Sequence, residues 1–151
     1  RRGVYVHWQR QFLHPMLKAF DAPSREECTA QRARSNTPLA ALVLLNDPTF
    51  VECARVLAER TMARRTASDA DRLAFAFREV TSRLPDSAES ASLNALLDSG
   101  RTEFRANAAD AASLLKVGQA PLPAELDDVE LAAWTSVCRG LLNLSETYHR
   151  E

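Results

Sequence analysis

Two dipeptides, Thr37-Pro38 and Asp47-Pro48, stand either side of an almost wholly apolar run from Leu39 to Leu45. A short polar side chain followed by proline marks the start of a helix. The side-chain oxygen caps an orphan N–H, and proline lacks only an N–H that the first turn leaves unpaired. Two helices therefore begin ten residues apart. The first must be short, with few polar positions on any face, and the second must begin at once. That constraint favours a helical domain over any sheet.

The rest of the chain carries the same signals. Ser68 with Asp71, Asp86 with Glu89 and Asp127 with Glu130 have capping-box spacing. They predict helices over 69–83, 87–106 and 128–143. The second proline pair predicts 49–64, with Phe50, Cys53, Ala54, Leu57 and Met62 as its buried stripe. Leu73, Phe77, Val80 and Leu84 form the apolar face of 69–83; Leu93, Leu97 and Phe104 form that of 87–106. Val129, Ala133, Val137, Leu141 and Leu144 form that of the last helix. Gly100 marks a weak point or early stop. Asn107 and Asp110 open a short helix that Gly118 terminates, and Pro121 and Pro123 stiffen the linker after it. Near the N-terminus, Val4, Trp8 and Phe12 recur every four positions and predict a helix over 3–13. His14-Pro15 ends it, and the chain runs irregularly to Asn36 apart from one turn of helix at 24–29. The expectation is an all-α, single helical bundle of about six helices with a long irregular segment after the first, forming one domain over residues 1–151.

Composition excludes several classes of function. With 46% hydrophobic and 26% charged residues the chain is an ordinary globular one. No apolar run approaches the ~20 residues of a membrane span. Its net charge of −1 argues against nucleic acid. That charge is uneven: residues 1–65 hold 11 Lys/Arg against 6 Asp/Glu, and residues 66–151 hold 8 against 14. Such a dipole can orient a domain against a partner.

No catalytic constellation is present: there is no nucleophile elbow, phosphate loop or Cys-His arrangement. His7 and His14 lack the neighbouring ligands a metal needs. Cys28, Cys53 and Cys138 have no redox or haem-attachment spacing. Cys53 and Cys138 fall on apolar faces as buried thiols, and Cys28 lies in the irregular segment. The remaining candidate is a polar cluster in the first third: Arg2, Tyr5, Arg10, Asp21, Arg32, Arg34, Asn36 and Asp47. Arginine forks pair with carboxylates and carbonyls, so the cluster can pin the irregular segment. The same forks, beside aromatic surface, suit an anionic polysaccharide. Glu146 and Glu151 are placed to meet Arg1, Arg2 or Arg34 and fasten the C-terminus.

Several motifs carry a family resemblance. They are Arg1-Arg2-Gly3-Val4-Tyr5, Phe20-Asp21-Ala22-Pro23, Cys28 with Arg32, Asn36-Thr37-Pro38-Leu39-Ala40-Ala41-Leu42, Leu45-Asn46-Asp47, Leu141-Leu142-Asn143-Leu144-Ser145-Glu146 and Arg150-Glu151. In order along the chain they resemble the C-terminal domain of unknown function of large secreted planctomycete proteins, which often carry a planctomycete cytochrome c-like domain. Ala40 stands where relatives have Gln, and Ser145 where they have Asp. The resemblance implies the C-terminal part of a larger, extracytoplasmic protein, with no cofactor in this chain and a c-type haem upstream. From it follow two expectations of function: a non-catalytic docking or scaffold domain that packs on the upstream domain, or part of a haem-linked oxidoreductase acting on polysaccharide, with Arg34, Asn36 and Asp47 near substrate.

Overall fold

The computed structural model describes residues 5–7, 12–24, 26, 28–31, 35, 37–64, 68–123 and 125–148. Among them are eight α-helices: α1 Pro15–Ala19, α2 Pro38–Asn46, α3 Pro48–Met62, α4 Asp69–Thr81, α5 Ser87–Ala106, α6 Ala108–Leu115, α7 Asp128–Leu142 and α8 Ser145–Tyr148. No strand occurs among the described residues. The fold is all-α, as the capping pattern requires. Its contacts divide the chain into two compact units, residues 1–43 and 44–151, and α2 spans the division.

The starts of α2, α3, α4, α5 and α7 are those that the caps predict, whereas Asn107 precedes α6 without a side-chain cap bond. Thr37 Oγ1 accepts from the Ala40 N–H at 3.2 Å and Asp47 Oδ1 from the Thr49 N–H at 2.9 Å. Ser68/Asp71 and Asp86/Glu89 each form the full reciprocal box, and Asp127 accepts from the Glu130 N–H at 2.8 Å.

The first unit departs from expectation. Tyr5, Val6, His7, Phe12 and Leu13, all inside the predicted helix 3–13, lie outside any α-helix. Gly3, Val4, Tyr5, Val6, His7 and Trp8 are weak helix formers, and an isolated helix of that length cannot sustain itself. Among the described residues the first α-helix instead starts at Pro15, the residue expected to end one. His14 caps it, its Nδ1 accepting from the Met16 N–H at 3.3 Å. Proline at the first position begins a helix as readily as proline in the interior breaks one. Helix α1 stops in a Schellman turn: Ala22 N donates to Leu17 O at 2.9 Å and Asp21 N to Lys18 O at 3.2 Å. Asp21 takes the left-handed position with φ 56°.

In the second unit α7 is the axis. It packs on α3, α4, α5 and α6 and buries Leu131, Ala132, Ala133, Trp134, Thr135, Val137, Cys138 and Leu141. A helix surrounded on most sides buries more than one stripe, which is why the expected face Val129-Ala133-Val137-Leu141 understated it. Leu144, expected inside, is 38% exposed, and Leu84 is 62% exposed. Both lie past their helix ends, where the 3.6-residue period no longer applies; Ser82 terminates α4 in the left-handed region. In α3 the buried residues are Val51, Ala54, Arg55, Leu57, Ala58 and Thr61, a face turned from the predicted stripe, and Cys53 is exposed. Gly100 does not stop α5. A Cβ there would lie 3.3 Å from Ala133 Cα, so glycine lets α5 and α7 approach closely.

Candidate functional site

Of the predicted polar cluster, Arg2, Arg10, Arg32, Arg34 and Asn36 lie outside the described residues. Tyr5 is 74% exposed. Asp21 is half-buried, and its carboxylate accepts from the Ser35 N–H at 2.7 Å and the Ser35 hydroxyl at 2.7 and 2.8 Å. The turn after α1 is thus tied to the segment leading into α2. Glycine would relieve the left-handed backbone there, but only aspartate also supplies those acceptors. Asp47 caps α3, a local role that the proline after it explains.

A second arrangement lies in residues 44–151, where α4, α5 and α7 leave a groove of ≈ 380 Å³. Phe77, Leu93, Leu96, Gly140, Leu141 and Leu144 line it, with Glu89 at its side. Arg83 sits beside it, its guanidinium 4.8 Å from the Phe77 ring centroid. All five Arg83 N–H groups are in use. Nε donates to Glu146 Oε1 at 2.8 Å, and Nη1 to Glu89 Oε2 at 2.8 Å and Leu84 O at 3.2 Å. Nη2 donates to Glu89 Oε1 at 2.6 Å and Glu146 Oε2 at 2.9 Å. Hydrogen bonds from Arg83, then from the Asp86 N–H, hold the Glu89 carboxyl down to about 2. Arg83 likewise lowers Glu146. The arginines expected to meet Glu146, Arg1, Arg2 and Arg34, lie outside the described residues, as does Glu151; Glu146 instead pairs with Arg83.

Two further polar constellations escaped the sequence. Arg55, 1% exposed, donates to Glu59, to Ala120 O at 2.9 Å and to Pro121 O at 3.4 Å. Glu52 accepts from the N–H groups of Gln119 and Ala120 at 2.8 and 3.0 Å. Together they strap residues 118–121 onto α3. Gly118 has φ 104°, and a Cβ there would run into the Glu52 carboxylate. The available signal was Arg55 in register with Val51 and Ala58 on an apolar face. Arg101 bridges Asp69 at 2.8 Å and Glu130, and Glu130 also accepts from Trp134 Nε1 at 3.0 Å. That network joins the N-termini of α4 and α7 to α5. It ties elements together and presents no reactive group.

Among the described residues no group of three His, Cys, Asp or Glu could hold a metal ion, and no helix is long and apolar enough to cross a membrane. Cys28 and Cys53 are exposed; Cys138 is fully buried, and burial pushes its thiol up to about 12. Burial, then the Glu52 charge, also raises Cys53.

A family described as PSD1, protein of unknown function (DUF1553), matches residues 1–97. The opening motifs through Leu45-Asn46-Asp47 fall inside this range; α6, α7, α8 and the closing motifs lie beyond it. Neither a curated protein nor a solved structure matches the chain.

Proposed function

The chain belongs to the DUF1553 family, and from that premise we propose that it serves as a non-catalytic docking or scaffold domain within a larger secreted protein. One observation carries this reading. In residues 1–43 the described apolar core consists of Ala19 and Ala40, while Tyr5, Phe12 and Leu39 are 74%, 72% and 58% exposed. Large apolar side chains left this open among the described residues support completion of the unit by another surface.

The partner in this proposal is the upstream domain of the same polypeptide. The extracytoplasmic location and a c-type haem in that upstream part belong to the proposal too, and their support is the resemblance of the opening motifs. The test is calorimetric titration of this chain with the polypeptide encoded immediately upstream, expressed separately. Binding is expected, with Phe12→Glu and Leu39→Glu each weakening it at least tenfold while the circular dichroism spectrum is unchanged. No binding, or binding indifferent to both substitutions, refutes the reading.

A further inference from the structure

The groove between α4, α5 and α7 is a second apolar surface, confined to residues 44–151. Its volume of ≈ 380 Å³ holds two or three large side chains. Leu96 and Leu144, on its walls, are 40% and 38% exposed, so the apolar lining of the groove reaches solvent at its rim. The edge has a definite sign. Two carboxylates, Glu89 and Glu146, surround one guanidinium whose N–H groups are all engaged. This leaves a net negative edge with acceptors and no arginine donor to offer, so an anionic head group finds repulsion and a cation finds oxygens. The walls are helices whose backbone bonds are internal. A polypeptide entering here finds no strand edge to pair with, and a helix, whose backbone bonds are internal, leaves no N–H or C=O unpaired against the apolar lining.

We propose that this groove docks an amphipathic helix of a partner polypeptide, its apolar residues at i, i+3 or i+4 and i+7 filling the groove and its lysine or arginine meeting Glu89 and Glu146. The inference rests on the docking reading in treating the chain as an interaction domain. It uses a different surface, and stands or falls separately from residues 1–43.

The probe is a fluorescein-labelled 18-residue helical peptide with leucines at three- and four-residue spacing flanked by lysines. A control replaces every lysine by glutamate, and dodecyltrimethylammonium serves as a small cationic amphiphile. Anisotropy gives affinity, and amide shifts of the full chain give location. The lysine peptide is expected to bind with shifts confined to residues 77–96 and 140–146. Leu96→Glu and Leu144→Glu should each weaken it at least tenfold at an unchanged circular dichroism spectrum. Joint Glu89→Gln and Glu146→Gln should weaken it three- to tenfold and flatten its salt dependence, and Leu39→Glu should bind as the parent. Equal binding of the glutamate peptide, shifts elsewhere, or indifference to both leucine substitutions overturns the proposal. So does dodecyltrimethylammonium occupying the groove where the peptide does not, which would make it a small-amphiphile site. Loss of upstream binding in Leu39→Glu with no effect on the peptide separates the two surfaces.

Discussion

An arginine that is 1% exposed must be held by what surrounds it, and Arg55 is held by a loop that arrives 65 residues later in the chain. Arg55→Ala strands Glu59 and two carbonyls and is expected to cost about 3 kcal/mol. Arg55→Met keeps the stem and should cost less, both read from urea midpoints. Gly118→Ala meets a forbidden backbone region and the Glu52 carboxylate together, with an expected loss of about 1–2 kcal/mol. At Asp21 the opposite trade holds. Asp21→Gly relaxes the backbone but releases Ser35, whose amide should then exchange with solvent at least tenfold faster. In the sequence, Glu52, Arg55 and Glu59 look like solvated charges along α3; the Arg55–Glu59 pair has readable i,i+4 spacing, but the carbonyls and N–H groups of residues 119–121 that Arg55 and Glu52 meet leave no mark on a sequence.

Helix beginnings were legible because a cap is settled within four residues, as at Thr37, Asp47, Ser68, Asp86 and Asp127. Which face turns inward was less so, because that depends on how many neighbours a helix has. Helix α7 has neighbours on most sides; α3 buries Arg55 beneath residues 120 and 121 on a face that the expected apolar stripe did not mark. Of the helix expected over 3–13, the described residues 5–7 and 12–13 lie outside any α-helix: the four-residue period ran through a weak helix-forming start from Gly3 to Trp8, and periodicity alone did not suffice. Of the polar cluster, the link from Asp21 to the residue before Asn36 is visible in the structure, but nothing in the residues themselves foretold Ser35 as the partner. Two glycines separate packing from propensity. Gly140→Ala meets only the end of the Leu96 side chain, at 3.4 Å, and should stabilise α7 by about 0.5–1 kcal/mol. Gly100→Ala meets the α7 backbone at 3.3 Å and should gain nothing or lose stability, and Gly100→Leu should cost about 1–3 kcal/mol. Thermal unfolding of the three variants decides this.

At the scale of the molecule, acid is the natural lever. The folded-state values of Glu89, Glu146 and Asp71 all lie below their ordinary ones, so their contribution is present above the ordinary carboxylate range and is lost as pH falls through the folded values, about 2 for Glu89. The melting temperature should be level from pH 7 to 5 and fall below pH 4. In Arg83→Gln that fall should be shallower, because Glu89 then keeps only the Asp86 N–H. Carboxyl-carbon NMR should find Glu89 titrating near 2 in the parent and higher in the variant.

Cys138 lies at 0% exposure within the central helix, whereas Cys28 and Cys53 are open to solvent. A maleimide added to the native chain will therefore mark two thiols quickly and the third only when the bundle comes apart. The chain carries its own opening reporter: the third alkylation follows how often the bundle opens around Cys138, and any partner that grips the bundle will slow it.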